Sequence, residues 1–321
     1  MKNDSLGKYN ILVTSAGVGT AINVIKSLKS SSRFDLRVYS SDQDPDASGL
    51  FLSDHSFLTP NSSSPVFLEK IAKIVSDYKI DFIFPNHSSE ILLFSKNLSF
   101  FQDLGVGLVL PSVEAVETCS NKKNFLSFLV DNDFSFPKTY SHLDEVSNFP
   151  VFIKPVSGSS SSFTFLASSK EKAAAFIDLY EIDFIIQEYI DEEEITADCY
   201  VNQNSKLIAC VPRRRLKVKD GKSVVGQTLY DQSMIDYISK LLGDLNYIGP
   251  CNVQLFRKGN EFSLVEINPR MSAGGLPLTL ESGVNIPELI LEDYFFGLSD
   301  DFIKFEHNLT MYAYSDAIFV R

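Results

Sequence analysis

The sequence predicts an α/β unit with a mostly parallel sheet over residues 1–111, followed by an α+β unit over residues 112–321. In the first third of the chain, short apolar runs alternate with stretches of helical spacing, as in parallel sheets covered by helices. After Pro111, strand-like runs follow one another through glycine and serine turns. A chain of 321 residues is long enough for two or three such units.

The predicted elements of the first unit mostly alternate between strand and helix. The predicted strands are "NILVTSAG", "FDLRVYSSD", "DHSFLTP", "DFIFP" and "GLVLP". The predicted helices are "TAINVIKSLKSS", "PVFLEKIAKIVSDYKI" and "SEILLFSKNLSFFQDL". The turn after the first strand imitates a dinucleotide fingerprint, but Ile22 occupies the place of its third glycine. A tight strand-to-helix turn is therefore favoured over an NAD site.

The second unit begins with one predicted helix, "SVEAVETCSNKKNFLSFLVDND". The predicted strands that follow are "FPVFIKPVSGSSSSFTFLA", "DFIIQEYI", "EEITADCYVN" and "KLIACVP". A helix near "DQSMIDYISKLLGDL" then precedes a hairpin, "GPCNVQLFRKGNEFSLVEINP". Consecutive strands of this kind indicate antiparallel sheets.

Composition narrows the class of protein. The net charge of −12 argues against nucleic acid or an anionic membrane as a partner. The four cysteines form no C-x-x-C pair, which favours reduced thiols over a disulfide framework or a zinc site. The N-terminus has no apolar signal region, and no apolar run reaches the roughly 18 residues of a membrane span. We therefore expect a cytoplasmic protein.

The last predicted hairpin carries polar side chains where a buried strand should be apolar. If its turn lies at residues 258–260, Gln254 faces Leu264 on the opposite strand. Opposed residues point to the same face, and so do residues two apart. In this assumed register Gln254, Glu266 and Asn268 converge on one face.

Phe262 and Leu264 would share that face, so we expect it to be partly buried. Burying a carboxylate without a compensating partner is costly. Three oxygen donors suit Mg²⁺, a hard cation that binds one or two carboxylates together with phosphate oxygens. We therefore predict that Gln254, Glu266 and Asn268 bind a metal ion. A polar outer face is the alternative.

A second polar pattern follows Lys154, which ends a predicted strand. The loop after it is made of small residues, among them Gly158, Ser159, Ser160 and Ser161. Such a loop lets backbone N–H groups approach an anion closely. Lys154 and this loop are therefore predicted to bind phosphate, although a serine-rich hairpin tip is also common.

The apolar strand "DFIIQEYI" is a candidate for binding a flat base. Its last residues, Gln187, Glu188, Tyr189 and Ile190, offer backbone N–H and C=O groups. Glu194 follows closely and is available for sugar hydroxyls. The strand and Glu194 are thus predicted to bind a nucleoside.

Two further clusters are candidates for substrate contacts. Arg213 and Arg215 share a face of their strand by alternation, and arginine forks bind carboxylates or phosphates bidentately. We predict that they hold a substrate anion, with a solvated surface run as the alternative. In "FPNHSSE", His87 and Glu90 follow a strand at an expected ligand crevice. Helix capping by Ser88 and Glu90 is the favoured interpretation there.

Taken in order along nearly the whole chain, these motifs resemble the ATP-grasp superfamily, in its carbamoyl-phosphate-synthase-like carboxylate–amine ligase group. "SNKKNFLSFLVDNDFSFPKTY" is similar to the segment with the family's first nucleotide lysine, which implies Lys122 rather than Lys123. "LVEINPRMSAGG" resembles the metal-binding strand and implies Arg270 as a phosphate contact. Asn121 stands where the family often has Asp, and Glu192 where it often has Gly.

The resemblance implies a pre-ATP-grasp, Rossmann-like domain at 1–111 and an ATP-grasp domain at 112–321, with a lid at about 124–187. It implies ATP and Mg²⁺, with Mn²⁺ as an alternative. A carboxylate would be activated as an acyl phosphate and joined to an amine, with Lys154 and Arg270 neutralising charge. Synthesis of a carbamoyl-phosphate type and a non-catalytic ATP-binding regulator are the alternatives. A homodimer is compatible with this reading.

Overall fold

The computed structural model describes residues 7–158, 163–219 and 221–320, and its N-terminal part is a parallel four-stranded sheet in the order β3-β2-β1-β4. Its strands are β1 (Lys8–Val13), β2 (Asp35–Asp42), β3 (His55–Leu58) and β4 (Phe82–Phe84). Its helices are α1 (Gly19–Lys29), α2 (Phe67–Tyr78), α3 (Ser88–Lys96) and α4 (Leu98–Asp103). The predicted α/β class is confirmed.

Two details of this part differ from the prediction. The single helix expected over residues 89–104 is two helices that meet at Asn97, whose side-chain amide donates to Leu93 O at 2.8 Å. The run expected as a fifth strand contributes only an isolated parallel bridge between Phe82 and Gly107.

The helix predicted after Pro111 is also divided, into α5 (Val113–Ser120) and α6 (Lys122–Asp131). Asn121 lies between them, and its side-chain oxygen accepts from the backbone N–H groups of Lys123 and Asn124 at 2.9 and 3.2 Å. Asparagine caps a helix as well as aspartate does. The departure from the family pattern at this position therefore preserves the helix start.

A small antiparallel sheet follows in the order β5-β8-β6-β7. Its strands are β5 (Thr139–Tyr140), β6 (Val151–Pro155), β7 (Phe165–Ala167) and β8 (Phe184–Glu188), with helix α7 (Lys170–Leu179) between β7 and β8. Lys154 lies on β6 directly beside Ile185 of β8. The strand with the predicted phosphate lysine and the strand predicted to bind a base are therefore neighbours.

A larger antiparallel sheet has the order β13-β12-β9-β10-β11-β14. Its strands are β9 (Glu193–Val201), β10 (Leu207–Lys219), β11 (Lys222–Thr228), β12 (Gly249–Lys258), β13 (Glu261–Asn268) and β14 (Thr310–Tyr312). Its helices are α8 (Gln232–Asp244), α9 (Leu276–Glu281) and α10 (Ile286–Phe296). On β9, Ile195, Ala197 and Cys199 pack in the apolar core with residues of α8. The residues that alternate with them point to the other face, which is polar.

The C-terminal helices pack against the N-terminal sheet. Phe295 of α10 stacks on Tyr9 of β1 with ring centroids 4.1 Å apart. The Asn23 side chain of α1 donates to the carbonyl of Ala273 at 2.9 Å. These contacts attach the segment after β13 to the first sheet. Among the described helices, none is long and apolar enough to cross a lipid bilayer.

Candidate active site

A cavity of about 540 Å³ lies between the small antiparallel sheet and the polar face of the large one. Its volume is within the range of roughly 300–1,000 Å³ that is usual for small-molecule sites. The predicted site residues that line it are Lys122, Lys154, Gly158, Gln187, Glu188, Tyr189, Ile190, Glu194, Arg213, Arg215, Gln254, Glu266, Asn268 and Arg270. Ser159, Ser160 and Ser161 lie outside the described residues.

The register expected for the β12–β13 hairpin is wrong. Gln254 lies opposite Glu266, not opposite Leu264, and Lys258 pairs with Glu261. The register shifts between Gln254 and Leu255, because β13 carries one extra residue at this point. Such a β-bulge bends the strand and redirects its side chains.

The bulge also changes which residues share a face. Phe262 and Leu264, expected beside Glu266, are buried in the core under the sheet instead. Glu266 and Asn268, beyond the bulge, point into the cavity. The predicted metal ligands are therefore together, and Gln254 is the direct cross-strand neighbour of Glu266.

Cross-strand pairing arranges the cavity floor in rows. One row runs from Glu266 through Gln254 and Thr196 to Arg213, across four neighbouring strands. The next row contains Asn268, Asn252 and Asp198. Thr196 and Asn252 also line the cavity, and Asp198 is fully buried beneath it; sequence reasoning missed all three. Alternation along β9 from Glu194 would have indicated Thr196 and Asp198.

The predicted metal ligands belong to a short chain of hydrogen bonds. Asn268 Nδ2 donates to Glu266 Oε1 at 2.9 Å, and Arg270 Nη2 donates to Asn268 Oδ1 at 3.1 Å. Arg270 Nη1 also donates to the carbonyl of Met271 at 3.1 Å. A carboxylate and two amide oxygens form a donor set that fits a hard cation such as Mg²⁺.

Three cations surround this one carboxylate. Burial lowers the pKa of Lys122 and of Lys154, and the nearby Glu266 carboxylate opposes that shift. Burial likewise lowers the pKa of Arg270, and Glu266 again opposes it. Lys154 also extends over the Phe152 ring, with Nζ 5.2 Å from the centroid. This end of the cavity therefore has more positive than negative charge and favours an anion.

The structure separates the two candidate lysines of α6. Lys122 lines the cavity, and its backbone N–H donates to Val156 O at 2.9 Å. Lys123 points elsewhere and forms an exposed ion pair with Asp183 at 3.3 Å. Only the first of the two is therefore in position to contact a ligand in the cavity.

The strand predicted to bind a base has its own internal contacts. Glu188 Oε1 accepts from the backbone N–H of Lys138 at 2.8 Å, which attaches the end of β8 to the segment before β5. Tyr189 is exposed. Glu192, which stands where a glycine is common, forms an ion pair with Lys258 at 3.1 Å.

Arg213 and Arg215 both line the cavity, as alternation predicts, whereas Arg214 is bound to Glu193 by an ion pair of 2.7 Å. Arg215 forms an ion pair with Glu194, the residue predicted to bind sugar hydroxyls. Arg213 is buried and forms an ion pair with Asp198 at 2.9 Å. Each arginine therefore already has a carboxylate partner.

The loop with His87 and Glu90 differs from the favoured interpretation. The N-cap of α3 is His87, whose ring Nδ1 accepts from Ser89 N at 3.3 Å, and not Ser88. Glu90 is buried and accepts from Thr14 Oγ1 at 2.7 Å. Burial raises the pKa of Glu90 to about 6, although hydrogen bonds to Thr14 and Ser15 oppose the shift.

Comparisons with known proteins agree with this architecture. The family model "ATP-grasp in the biosynthetic pathway with Ter operon" matches residues 181–316. A second model, "PylC-like, N-terminal domain", matches residues 11–109. Together with the two antiparallel sheets that enclose the cavity, these matches identify the class. Residues 181–316 match the ATP-grasp superfamily, and the two antiparallel sheets of the chain have the architecture of that class.

The chain is similar to the carbamoyl phosphate synthase large chain of Thermoplasma volcanium, with 21% identity over 74% of this chain. It spans only 25% of the length of that relative. It is 24% identical to a formate-dependent phosphoribosylglycinamide formyltransferase of Prochlorococcus marinus, over 92% of this chain and 78% of the relative.

Among solved structures, the biotin carboxylase domain of the 2-oxoglutarate carboxylase of Hydrogenobacter thermophilus has a TM-score of 0.72 at 13% identity. The match covers 94% of this chain and 73% of that one. At this identity the likeness concerns the fold alone.

Proposed function

We propose that the chain is an ATP- and Mg²⁺-dependent ligase that activates a carboxylate as an acyl phosphate and joins it to an amine. One observation carries the proposal. A single cavity combines three half-buried cations, Lys122, Lys154 and Arg270, with an oxygen donor set centred on Glu266. This combination suits a polyphosphate that binds together with a divalent cation.

The nucleotide would lie between the two antiparallel sheets. The backbone of Gln187 to Ile190 would bind the base, and Glu194 with its partner Arg215 would meet the sugar. Lys122 and the loop that begins at Gly158 would bind phosphates. Gly158 has φ +137°, a conformation that side chains with a Cβ rarely adopt, so its backbone is free to turn toward an anion.

Gln254, Glu266 and Asn268 would hold Mg²⁺, and we propose that Mn²⁺ can replace it. A bound Mg²⁺ supplies Lewis-acid charge to the phosphate oxygens. In the first step the carboxylate oxygen forms a bond to the γ-phosphorus while the bond to the β,γ-bridging oxygen breaks, and ADP leaves. Lys154 and Arg270 would stabilise the charge on the transferring group.

In the second step the amine nitrogen attacks the carbonyl carbon, the bond from carbon to the phosphate oxygen breaks, and the nitrogen loses a proton. The products are an amide, ADP and phosphate. The cavity walls would orient both substrates and exclude water, which would otherwise hydrolyse the acyl phosphate.

We further propose that the domains divide at residues 111 and 112, with a lid at about 124–187. The parallel sheet precedes this point and both antiparallel sheets follow it, which supports the division. We also propose a cytoplasmic location, because all four cysteines are free thiols. Small carboxylates and amines would be the substrates, and two copies of the chain would form a homodimer.

The test is a screen of carboxylates and amines for ADP release, with mass spectrometry of the products. We expect ADP release that needs a carboxylate and Mg²⁺, and an amide when an amine is added. Carbamoyl phosphate as the sole product would replace the proposal with the first alternative. Nucleotide binding without turnover for any pair would favour the non-catalytic regulator.

A further inference from the structure

A fully buried carboxylate, Asp198, lies behind the cavity-lining residues Arg213, Asn252 and Ser272 and accepts four hydrogen bonds. Its Oδ1 accepts from Arg213 Nη2 and from Asn252 Nδ2, both at 2.9 Å. Its Oδ2 accepts from Ser272 Oγ at 3.0 Å and from Thr279 Oγ1 at 2.6 Å. One side chain therefore joins two strands of the large sheet, the segment after β13 and helix α9.

Arg213 is fixed by these contacts. Its Nη2 also donates to Ser272 Oγ at 3.3 Å. Its guanidinium lies flat on the backbone of Gly275, where an added Cβ would come within 2.0 Å of three guanidinium atoms. Nε and Nη1 have no hydrogen-bond partner among the described residues, and Nε is buried. The guanidinium is thus held in place while part of its donor capacity is unused.

The position of Arg213 suits the carboxylate that receives the phosphoryl group. It lies in the same cross-strand row as Gln254 and Glu266, two strands away from Gln254 in the sheet order β12-β9-β10. Arg213 therefore lies on the same cavity wall as the proposed metal ligands, and it has a carboxylate partner of its own.

The Asp198 carboxylate also cancels the charge of Arg213. An arginine without a carboxylate partner would attract any anion, including phosphate released by the reaction. An arginine paired with a buried carboxylate offers hydrogen bonds with no net charge. Recognition at this end of the cavity therefore depends on the placement of donors and not on attraction of anions in general.

We propose that Asp198 is a positioning residue that aims Arg213 at the acceptor carboxylate and prevents inorganic phosphate from binding in its place. This inference rests on the proposed ligase function for the identity of the acceptor. The selectivity against phosphate is a property of the Asp198–Arg213 pair and is measurable without turnover.

The main experiment titrates inorganic phosphate into the wild type and Asp198→Asn by calorimetry, without nucleotide. Asn keeps the shape, and the hydroxyls of Ser272 and Thr279 can accept from its amide. Because Arg213 loses its partner charge, we expect Asp198→Asn to bind phosphate at least about tenfold more tightly. The double variant Asp198→Asn/Arg213→Met should return to the wild-type affinity.

Thr279→Val is the matched control, because it removes one hydrogen bond to Asp198 and leaves both charges. It should not change phosphate binding. Equal phosphate affinities of the wild type and Asp198→Asn would overturn the proposal. A gain that persists in the double variant would also overturn it, since the gain would not come from Arg213.

Gly275→Ala provides a test that does not depend on folding of the Asp198 variant. Its Cβ would displace the Arg213 guanidinium while both charges remain. In steady-state kinetics we expect the KM for the carboxylate to rise several-fold and the KM for ATP to stay unchanged. An unchanged carboxylate KM would contradict the positioning role. If no carboxylate supports ADP release, the proposed function fails, and the phosphate titration still decides whether Asp198 controls Arg213.

Discussion

The cationic side chains at the two ends of the cavity differ in their carboxylate partners. At the end near the predicted metal ligands, the half-buried cations Lys122, Lys154 and Arg270 share the Glu266 carboxylate as their nearest negative charge. At the other end, Arg213 has a carboxylate of its own, and that carboxylate is fully hydrogen-bonded. The cations therefore differ both in burial and in partners, since Arg213 is buried and the other three are half-buried.

This difference separates cations that await a ligand from a cation that is already neutralised. Removing a charge from water is costly unless it is paired, so a half-buried excess of positive charge persists in a fold that uses it. By this argument the first end is built for a polyphosphate and the second for a group selected by hydrogen-bond geometry. The predictions below test this contrast, in order of expected size.

Replacing Glu266 by Gln should have the largest effect. The change removes the one carboxylate among the proposed metal ligands, and we expect Mg²⁺-dependent ADP formation to fall by a factor on the order of 100 or more. Nucleotide without metal should bind at least as well as before, because the three cations lose their nearest negative charge. Glu261→Gln, at the exposed start of β13, is the control. Near-normal Mg²⁺-dependent turnover in Glu266→Gln would refute the metal assignment.

Glu90, in the N-terminal part, is a buried carboxyl group without a cationic partner in the described part of the chain, and its pKa shows the cost of burying such a charge. Its pKa of about 6 in the folded protein lies above the ordinary 4.5, so the folded state binds its proton more tightly than the unfolded state does. Stability from this group is therefore present below about pH 4.5 and is lost as pH rises to about 6 and above. The loss should be about 2 kcal/mol.

Glu90→Gln removes this titration. Between pH 4 and pH 7 the free energy of unfolding of the wild type should therefore fall by about 2 kcal/mol relative to that of the variant. Urea unfolding of both proteins at the two pH values measures the change. Glu181→Gln, at an exposed position, is the control variant. A stability difference that is the same at both pH values would show that Glu90 titrates normally.

Gln254→Glu should have a smaller effect of opposite sign. A second carboxylate beside Glu266 partly offsets the surrounding positive charge, and metal affinity rises with the charge of the ligands. We expect binding of Mn²⁺ without nucleotide to tighten by about tenfold, measured by electron paramagnetic resonance. Gln102→Glu, on the exposed face of α4, controls for net charge. Unchanged Mn²⁺ affinity would place Gln254 outside the metal site.

The sequence was sufficient to predict those features of the fold and the site that depend on a regular spacing of residue types. Alternation of strands and helices predicted the parallel sheet, and period-two spacing predicted that Arg213 and Arg215 share a face. Lys154 and Glu266 stand on strands whose apolar neighbours define the buried face. The structure gathers them around one cavity.

The sequence was insufficient where a single local irregularity changes the phase of a strand. The extra residue in β13 places Phe262 and Leu264 in the core and Glu266 in the cavity. No residue type in the sequence of β13 predicts this bulge. Partners distant in sequence were also hidden. The pairing of Arg213 with Asp198 depends on which strands are neighbours, so an apparent basic cluster gave no sign that its first member is neutralised.

Titration of a non-hydrolysable ATP analogue with Mg²⁺, followed by calorimetry, tests the contrast between the two ends most directly. The wild type is compared with Lys154→Met and with Asp198→Asn/Arg213→Met, which removes both charges of the neutral pair. We expect Lys154→Met to weaken binding by at least about tenfold, since a buried phosphate loses a cation. The double variant should bind the analogue nearly as the wild type does. Equal losses in both variants, or unchanged binding in Lys154→Met, would contradict the account.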